Sequence, residues 1–465
     1  MIYYCGYSPD GELSTLLIGV DSLLGGDVLH ESGTKHSVAD CWSSRYKPNA
    51  IYYDEFAELL RRNGGFKGVN SAEIDKFIKK YNLMQLSREI SEKSDFSLNR
   101  KRDSDRRTYF CNVGNALHIM LRTILAQVHG KQLPSFDERY SAVTRLPTVD
   151  LVDPAEAREL LCARLADAGY ETKKNRQLHE TYLAWRAKQR EVPRNELSQR
   201  VEETIQQFIL LARKNIFPKL NLSAIGHEPD LSDVDFSGFN FKTVSGVHFT
   251  GSNIYRGGEK NGKPAFRSLF EYNTDHPLTQ SELYHLCGHE AVPGHYLQHV
   301  MTDLLHRSGK LGFESTIGTM CTSEAVFQEG WAQNAFKFLY GSTENAIKEL
   351  GPDFGVTLAH EDLQDIAKNN VPIMVQRNGV SLDEVRSYLR QQLCLSDSLV
   401  KKLTGPAWTV DPICAAMYGP AYYIGRTTVA KAIEKCGIEK VLRVGLGFKG
   451  FVDIETFRRK TGLQN

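Results

Sequence analysis

Apolar residues recur at helical spacing through much of this 465-residue chain. In "ALHIMLRTILAQV" they fall at Leu117, Met120, Leu121, Ile124 and Leu125, along one face of a 3.6-residue period. The stretch "NELSQRVEETIQQFILLARKNIF" places Leu197, Val201, Ile205, Phe208, Leu211 and Ala212 on one stripe. Start and stop signals frame further helices. Asp153, Pro154 and Glu156 open "AEARELLCARLADA" and Gly169 closes it. Ser381 with Glu384 makes a capping box before "LDEVRSYLRQQL", Thr279 with Glu282 does the same for "QSELYHLCGHE", and Gly437 stops "AYYIGRTTVAKAIEKCG". The period changes between residues 235 and 275. There "TVSGVHFTG" and "AFRSLFEYN", split by the Gly-rich "YRGGEKNGKP", predict two short strands and a turn. The arginine-dense "NRKRDSDRR" has interleaved aspartates and reads as a solvated loop. The pattern predicts a mainly α fold with one small sheet at about 235–275. Residues 1–150 form a mixed, partly helical N-terminal region, and 151–465 form the principal helical domain.

Composition narrows the function. Lys and Arg number 57 against 56 Asp and Glu, so no global field recruits nucleic acid or an anionic membrane. The nine cysteines are odd in number, scattered and without a C-x-x-C pair, the usage of a reducing compartment. No basic leader or window of ~18 apolar residues stands out, so the sequence reads as cytoplasmic, with no membrane and no nucleic-acid partner. The string "GLGFKG" lacks the βαβ context of a dinucleotide fold, and no G-x-S-x-G elbow or phosphate loop is present.

The chemistry concentrates in "SELYHLCGHEAVPGHYLQHV", residues 281–300. His289 and His295 are six apart, which on a regular helix separates them by ~120° and ~9 Å. Pro293 and Gly294 lie between them. A proline withholds an N–H and crowds the preceding turn, and a glycine accepts dihedrals that a Cβ resists, so the helix must bulge. With two residues looped out, both imidazoles face one ion, as in H-E-x-x-H, and Glu290 stands beside it as general base. A catalytic zinc takes a third protein ligand, which "SEAVFQEGWAQNAFKFLYG" supplies as Glu329 or Glu324. Glu329 is preferred because Gly330 admits a close neighbour and Ala332 and Ala335 leave its face uncrowded. The i,i+4 pairs His285/His289 and His295/His299 stay open as regular helical alternatives, as does a role for Gln298 in orienting a ligand.

These residues resemble a known family. "HEAVPGHYLQ", followed by "QEGWAQNAF" and then "YGPAYYIGR", is similar to the pattern H-E-x-x-P-G-H-x-x-Q, E-G-W-A and Y-x-I-G of the domain-of-unknown-function 885 family, a zincin-like group related to metallopeptidases. The likeness covers roughly residues 240–440 and leaves 1–150 unmatched. It implies a helical zincin-like, gluzincin-type fold with a small sheet beside the metal helix. It selects His289, His295 and Glu329 as ligands for Zn²⁺, and places Tyr422 and Arg426 as candidate stabilisers of an oxyanion. The implied activity is hydrolysis of an amide or peptide-type bond in a short peptide or small conjugate. Two His and one carboxylate also suit Fe²⁺, so a non-haem oxygenase or lyase is the alternative, beside a non-catalytic binding protein. Where the family has P-G-Q-A before the tyrosine this chain has "MYGPA", which leaves the substrate-facing surface open.

Overall fold

The computed structural model describes residues 9–26, 50–92, 104–171, 178–220, 238–247, 249–261, 263–447, 450 and 452–463. Helices dominate, and the ones that build or brace the site are α1 (Pro9–Leu23), α2 (Ser104–Val128), α3 (Ala155–Asp167), α4 (Leu197–Asn215), α5 (Gln280–Glu290), α6 (His295–Arg307), α7 (Ser323–Gln333), α8 (Pro352–Pro372), α9 (Leu382–Gln391), α10 (Asp397–Leu403), α11 (Gly419–Cys436) and α12 (Ile454–Thr461). Their ends follow the local chemistry. Thr279 and Ser381 accept the N–H of Glu282 and Glu384, whose carboxylates return the bond, completing both capping boxes. Asp153 Oδ1 accepts from Ala155 N–H at the start of α3, and Gly169, at φ +86°, lets the chain turn back after its last residues.

Two expectations need correction. The turn of α2 begins within the arginine-rich stretch: residues 104–107 are helical, and Arg106 lies over the Phe110 ring at 5.2 Å and pairs with Glu314 at 3.5 Å. The apolar face of α2 draws this first turn onto the protein. Residues 99–103 lie outside the described set. The second correction concerns the sheet, which has three strands: β1 (Phe239–Val244), β2 (Gly251–Lys260) and β3 (Lys263–Asn273), in the order β1-β3-β2. β2 and β3 pair antiparallel, and β1 joins β3 in parallel. Most of the Gly-rich segment expected to turn is therefore strand, because Gly257 and Gly258, at φ +54° and +84°, sit in a bulge where the register shifts. The segment expected as the first strand is the end of β1 and the loop into β2.

One face of this sheet rests on α5 and α6. Phe270 is fully buried between Phe239 and Phe241, and Tyr296 of α6 meets Phe239 edge-on at 5.0 Å. Tyr296 donates to the Phe266 carbonyl and Tyr255 to Asp303, so the buried hydroxyls are partnered. The largest apolar cluster runs from Leu13 and Phe77 through Leu117, Phe208, Tyr296 and Trp331 to Phe457. A second one packs Leu161, Trp185, Leu363 and Leu389 around α3, α8 and α9. Among the described residues no helix is long and apolar enough to cross a membrane.

Candidate metal centre

The helix carrying His289 does not bulge at Pro293 and Gly294; it ends. α5 stops at Glu290, residues 291–294 form a break containing a cis Val292–Pro293 peptide, and α6 restarts at His295. Gly294 is what lets the ends meet. Its N–H donates to the Gly288 carbonyl at 3.0 Å, and a Cβ at this position would stand 1.7 Å from the His289 carbonyl oxygen. Trp331 holds the break from below by donating to the Pro293 carbonyl at 2.8 Å. The outcome is that the two imidazoles, ~120° apart on a continuous helix, face each other with ring centroids 4.8 Å apart.

Glu329 arrives from α7. That helix crosses α11 at two glycines, Gly330 and Gly425, so closely that a Cβ on Gly330 would lie 2.1 Å from the Gly425 backbone. The crossing brings Glu329 Oε2 to 3.4 Å from His289 Nε2 and Oε1 to 3.8 Å from His295 Nε2. One ligand atom from each of His289, His295 and Glu329 lies within 4.8 Å of the others. Bonds of ~2.0–2.1 Å to a tetrahedral ion require donors ~3.3 Å apart, so the three groups need only small adjustments to hold one. Two buried polar atoms, His289 Nδ1 and Glu329 Oε2, lack a hydrogen-bond partner among the described residues. An unpartnered carboxylate oxygen facing two imidazoles is costly by itself and is what a cation would satisfy.

The surroundings tune these groups. Burial would raise the Glu329 carboxyl, but His289, His295 and Tyr418 outweigh it and hold it down at about 2. Burial would lower His289, whereas Glu329 and Glu290 leave it above its usual value. Glu290 is raised, by burial first, against the opposing charges of His289 and His295. Its backbone carbonyl accepts from Asn253 of β2 at 2.7 Å, so the sheet edge braces the end of α5. Gln298 Oε1 lies 3.2 Å from His295 Nδ1, where an Nδ1–H would orient the ring and leave Nε2 as the lone-pair nitrogen.

The remaining sequence candidates divide. His285 turns to Gln333 at 3.1 Å, and His299 packs against Tyr255 with its basicity driven down to about 3, by burial first. Glu324 accepts from Tyr109 at 2.7 Å and stays out of the cluster. Tyr422 joins through a residue the sequence reading passed over: Tyr418 donates to Glu329 Oε1 at 2.9 Å, and its hydroxyl is 2.9 Å from that of Tyr422. Burial raises both phenols well above their usual value, with the Glu329 charge adding to it, so both remain protonated. Tyr418 sits four residues before Tyr422, a helical spacing that could have exposed it. Arg426 is held elsewhere, by Asp362 at 2.8 Å and Asp365 at 3.0 Å.

Comparison with known proteins adds the fold and nothing finer. No protein-family profile matches the chain, and no curated protein does. Two solved structures share its backbone path. One is a candidate lipoprotein from Colwellia psychrerythraea, 13% identical, with a TM-score of 0.50 over 91% of this chain and 77% of that one. The other is a candidate lipoprotein of unknown function from Shewanella oneidensis, 12% identical, with a TM-score of 0.50 over 99% of this chain and 89% of that one.

Proposed function

We propose that this protein is a zincin-like, zinc-dependent hydrolase that cleaves an amide or peptide-type bond in a short peptide or small conjugate. The observation that carries the reading is the convergence of His289, His295 and Glu329 within 4.8 Å, with the buried Glu329 Oε2 3.4 Å from His289 and accepting no hydrogen bond among the described residues. When bound, the ion supplies a Lewis acid and an acidified water. The chain supplies the rest. Glu290, with its carboxyl raised by burial, accepts the proton of the attacking water and passes it to the departing nitrogen. Tyr418 donates to Glu329 and accepts from the Tyr422 hydroxyl, which turns its one O–H from Tyr418 to the developing oxyanion. Arg426 drops out of that role, since Asp362 and Asp365 occupy its guanidinium; it pins α11 to α8 instead. The three motifs that resemble the domain-of-unknown-function 885 family support the same assignment.

The test is metal analysis of protein purified without chelator, together with turnover of a short-peptide library. We expect about one zinc per chain, and a Glu290→Gln variant that keeps the zinc while losing turnover by about 10³-fold. Undiminished turnover in that variant would remove the base, and iron with oxygen consumption would replace hydrolysis by redox chemistry. The scattered free thiols support a cytoplasmic location. Because both similar solved structures are described as candidate lipoproteins, recovery of the chain in a membrane fraction would overturn that placement.

A further inference from the structure

We propose that Lys368 and Lys402 form a carboxylate-binding subsite beside His289, His295 and Glu329, so that the bond cut lies next to a free carboxyl end. The inference rests on the hydrolase reading for the bond that breaks, and on separate observations for the carboxylate.

Lys368 comes from the last turns of α8 and holds its ammonium 3.6 Å from the centre of the Tyr422 ring. The Tyr422 hydroxyl reaches Glu329 through Tyr418, so the cation sits one aromatic pair away from a ligand carboxylate. Its carboxylate partner is Asp365, at 3.2 Å. That carboxylate is already shared with Arg426 at 3.0 Å and with Gln333 at 3.0 and 3.2 Å. An ammonium has three donors, and one crowded acceptor with a ring face does not use them all.

Lys402, from α10, approaches from the strand side. It donates to Thr250 Oγ1 at 3.1 Å, and among the described residues no carboxylate pairs with it. Thr250 immediately precedes β2, the strand whose Asn253 holds the Glu290 carbonyl. One lysine thus lies against Tyr422 and the other at the residue that leads into the strand bracing Glu290. Burial, and then the Lys368 charge, bring the Lys402 ammonium down to about 8, so Lys402 senses Lys368 and is still largely charged at neutral pH. Like charges held near each other and partly buried cost free energy, which an incoming anion relieves.

Spare donors, rather than a net positive charge, recommend the pair, and the charge balance favours a monoanion. Burial would raise the Glu361 carboxyl, but the His285 and Lys368 charges keep it below its usual value. The Glu361 and Asp365 carboxylates thus balance the lysines, so a carboxylate adds less repulsion than a phosphate dianion would. A peptide spans ~3.5 Å per residue, so a terminal carboxylate on the lysines sets the scissile carbonyl about one or two residues away, at the ligand cluster.

The test separates binding from cleavage. N-acetylated randomised tripeptides, as free acids and as C-terminal amides, are passed over immobilised, zinc-loaded full-length Glu290→Gln protein and identified by mass spectrometry. We expect acids to be retained about tenfold or more over amides, the scale of one charge-assisted hydrogen bond. The preference should collapse toward one when Lys368→Met or Lys402→Met is added, and survive Lys402→Arg, which keeps the charge and controls for misfolding. Equal retention of acids and amides, no retention of either, or a preference that outlasts both methionine variants would overturn the subsite. Retained acids without any cleavage by the unsubstituted protein would leave the subsite standing and remove the hydrolase reading. Cleavage without acid preference would do the reverse.

Discussion

Glu324 and Glu329 lie five residues apart on α7, the first half-buried and the second buried, yet they hold protons in opposite ways. Burial lifts the Glu324 carboxyl to about 7, and the Tyr109 hydroxyl it accepts from only partly offsets that. Glu329 is the more deeply buried but faces two imidazoles and a tyrosine, and it stays at about 2. Depth would order them the other way; the neighbours decide. One carboxylate is therefore suited to be neutral and structural near neutral pH, and the other to remain an anion that a cation can use.

The sharpest way to break this contrast is to remove the anion. Glu329→Ala should leave purified protein with near-zero zinc by elemental analysis and no measurable turnover, whereas Glu324→Ala should not empty the site; zinc retained in the first variant would refute the ligand assignment.

A second experiment reads the other carboxylate through pH. Because the folded-state value of Glu324 lies above its unfolded value near 4.5, its contribution to stability is fully present at acid pH and is lost as pH rises through about 7. Glu324→Gln should therefore gain stability relative to the parent between pH 5 and pH 8, by an amount on the order of 3 kcal/mol, measured by urea unfolding at each pH. A difference independent of pH would show that Glu324 is ionised throughout.

The helix crossing gives a smaller effect. Gly330→Ala puts a methyl group against the Gly425 backbone and should destabilise the fold by about 1–3 kcal/mol, while weakening zinc binding through Glu329. Unaltered zinc affinity in a destabilised Gly330→Ala protein would uncouple the crossing from the site. The smallest change is Tyr418→Phe. Losing one hydrogen bond to a ligand carboxylate should weaken zinc by a few-fold to about tenfold in a chelator competition, without altering the pH dependence assigned to Glu324.

Local chemistry made much of this legible. The capping boxes at Thr279 and Ser381, the glycine stops and the apolar stripe of α4 depend on residues a few positions apart, and each sits where its spacing places it. The choice of Glu329 over Glu324 also follows from a neighbour, since Gly330 marks a close approach; the approaching backbone is that of Gly425. What stayed hidden depends on distant partners. β1 pairs in parallel with a strand beyond β2, and hairpin reasoning looks only to the next strand. Gly257 and Gly258 carry turn-type dihedrals inside a bulged strand. Tyr418 closes a wide turn at Cys414–Tyr418 and looks like a core aromatic until Glu329 is placed beside it. Arg426 shares the helix of Tyr422, but the two aspartates that capture it lie on α8, more than sixty positions earlier.

The far end of α7 carries one more consequence. Tyr109 of α2 donates to Glu324, and Asn112, one turn on, donates to Asp453 just ahead of α12. A fragment cut near residue 150 would retain His289, His295 and Glu329 but take one donor from each acid, leaving Glu324 to Gln328 and Asp453 to the Thr456 N–H, at roughly 1–3 kcal/mol apiece. Engineers wishing to shrink this scaffold should trim elsewhere: the opening third, where no motif is recognisable, is part of the clamp that keeps the helix of Glu329 in place.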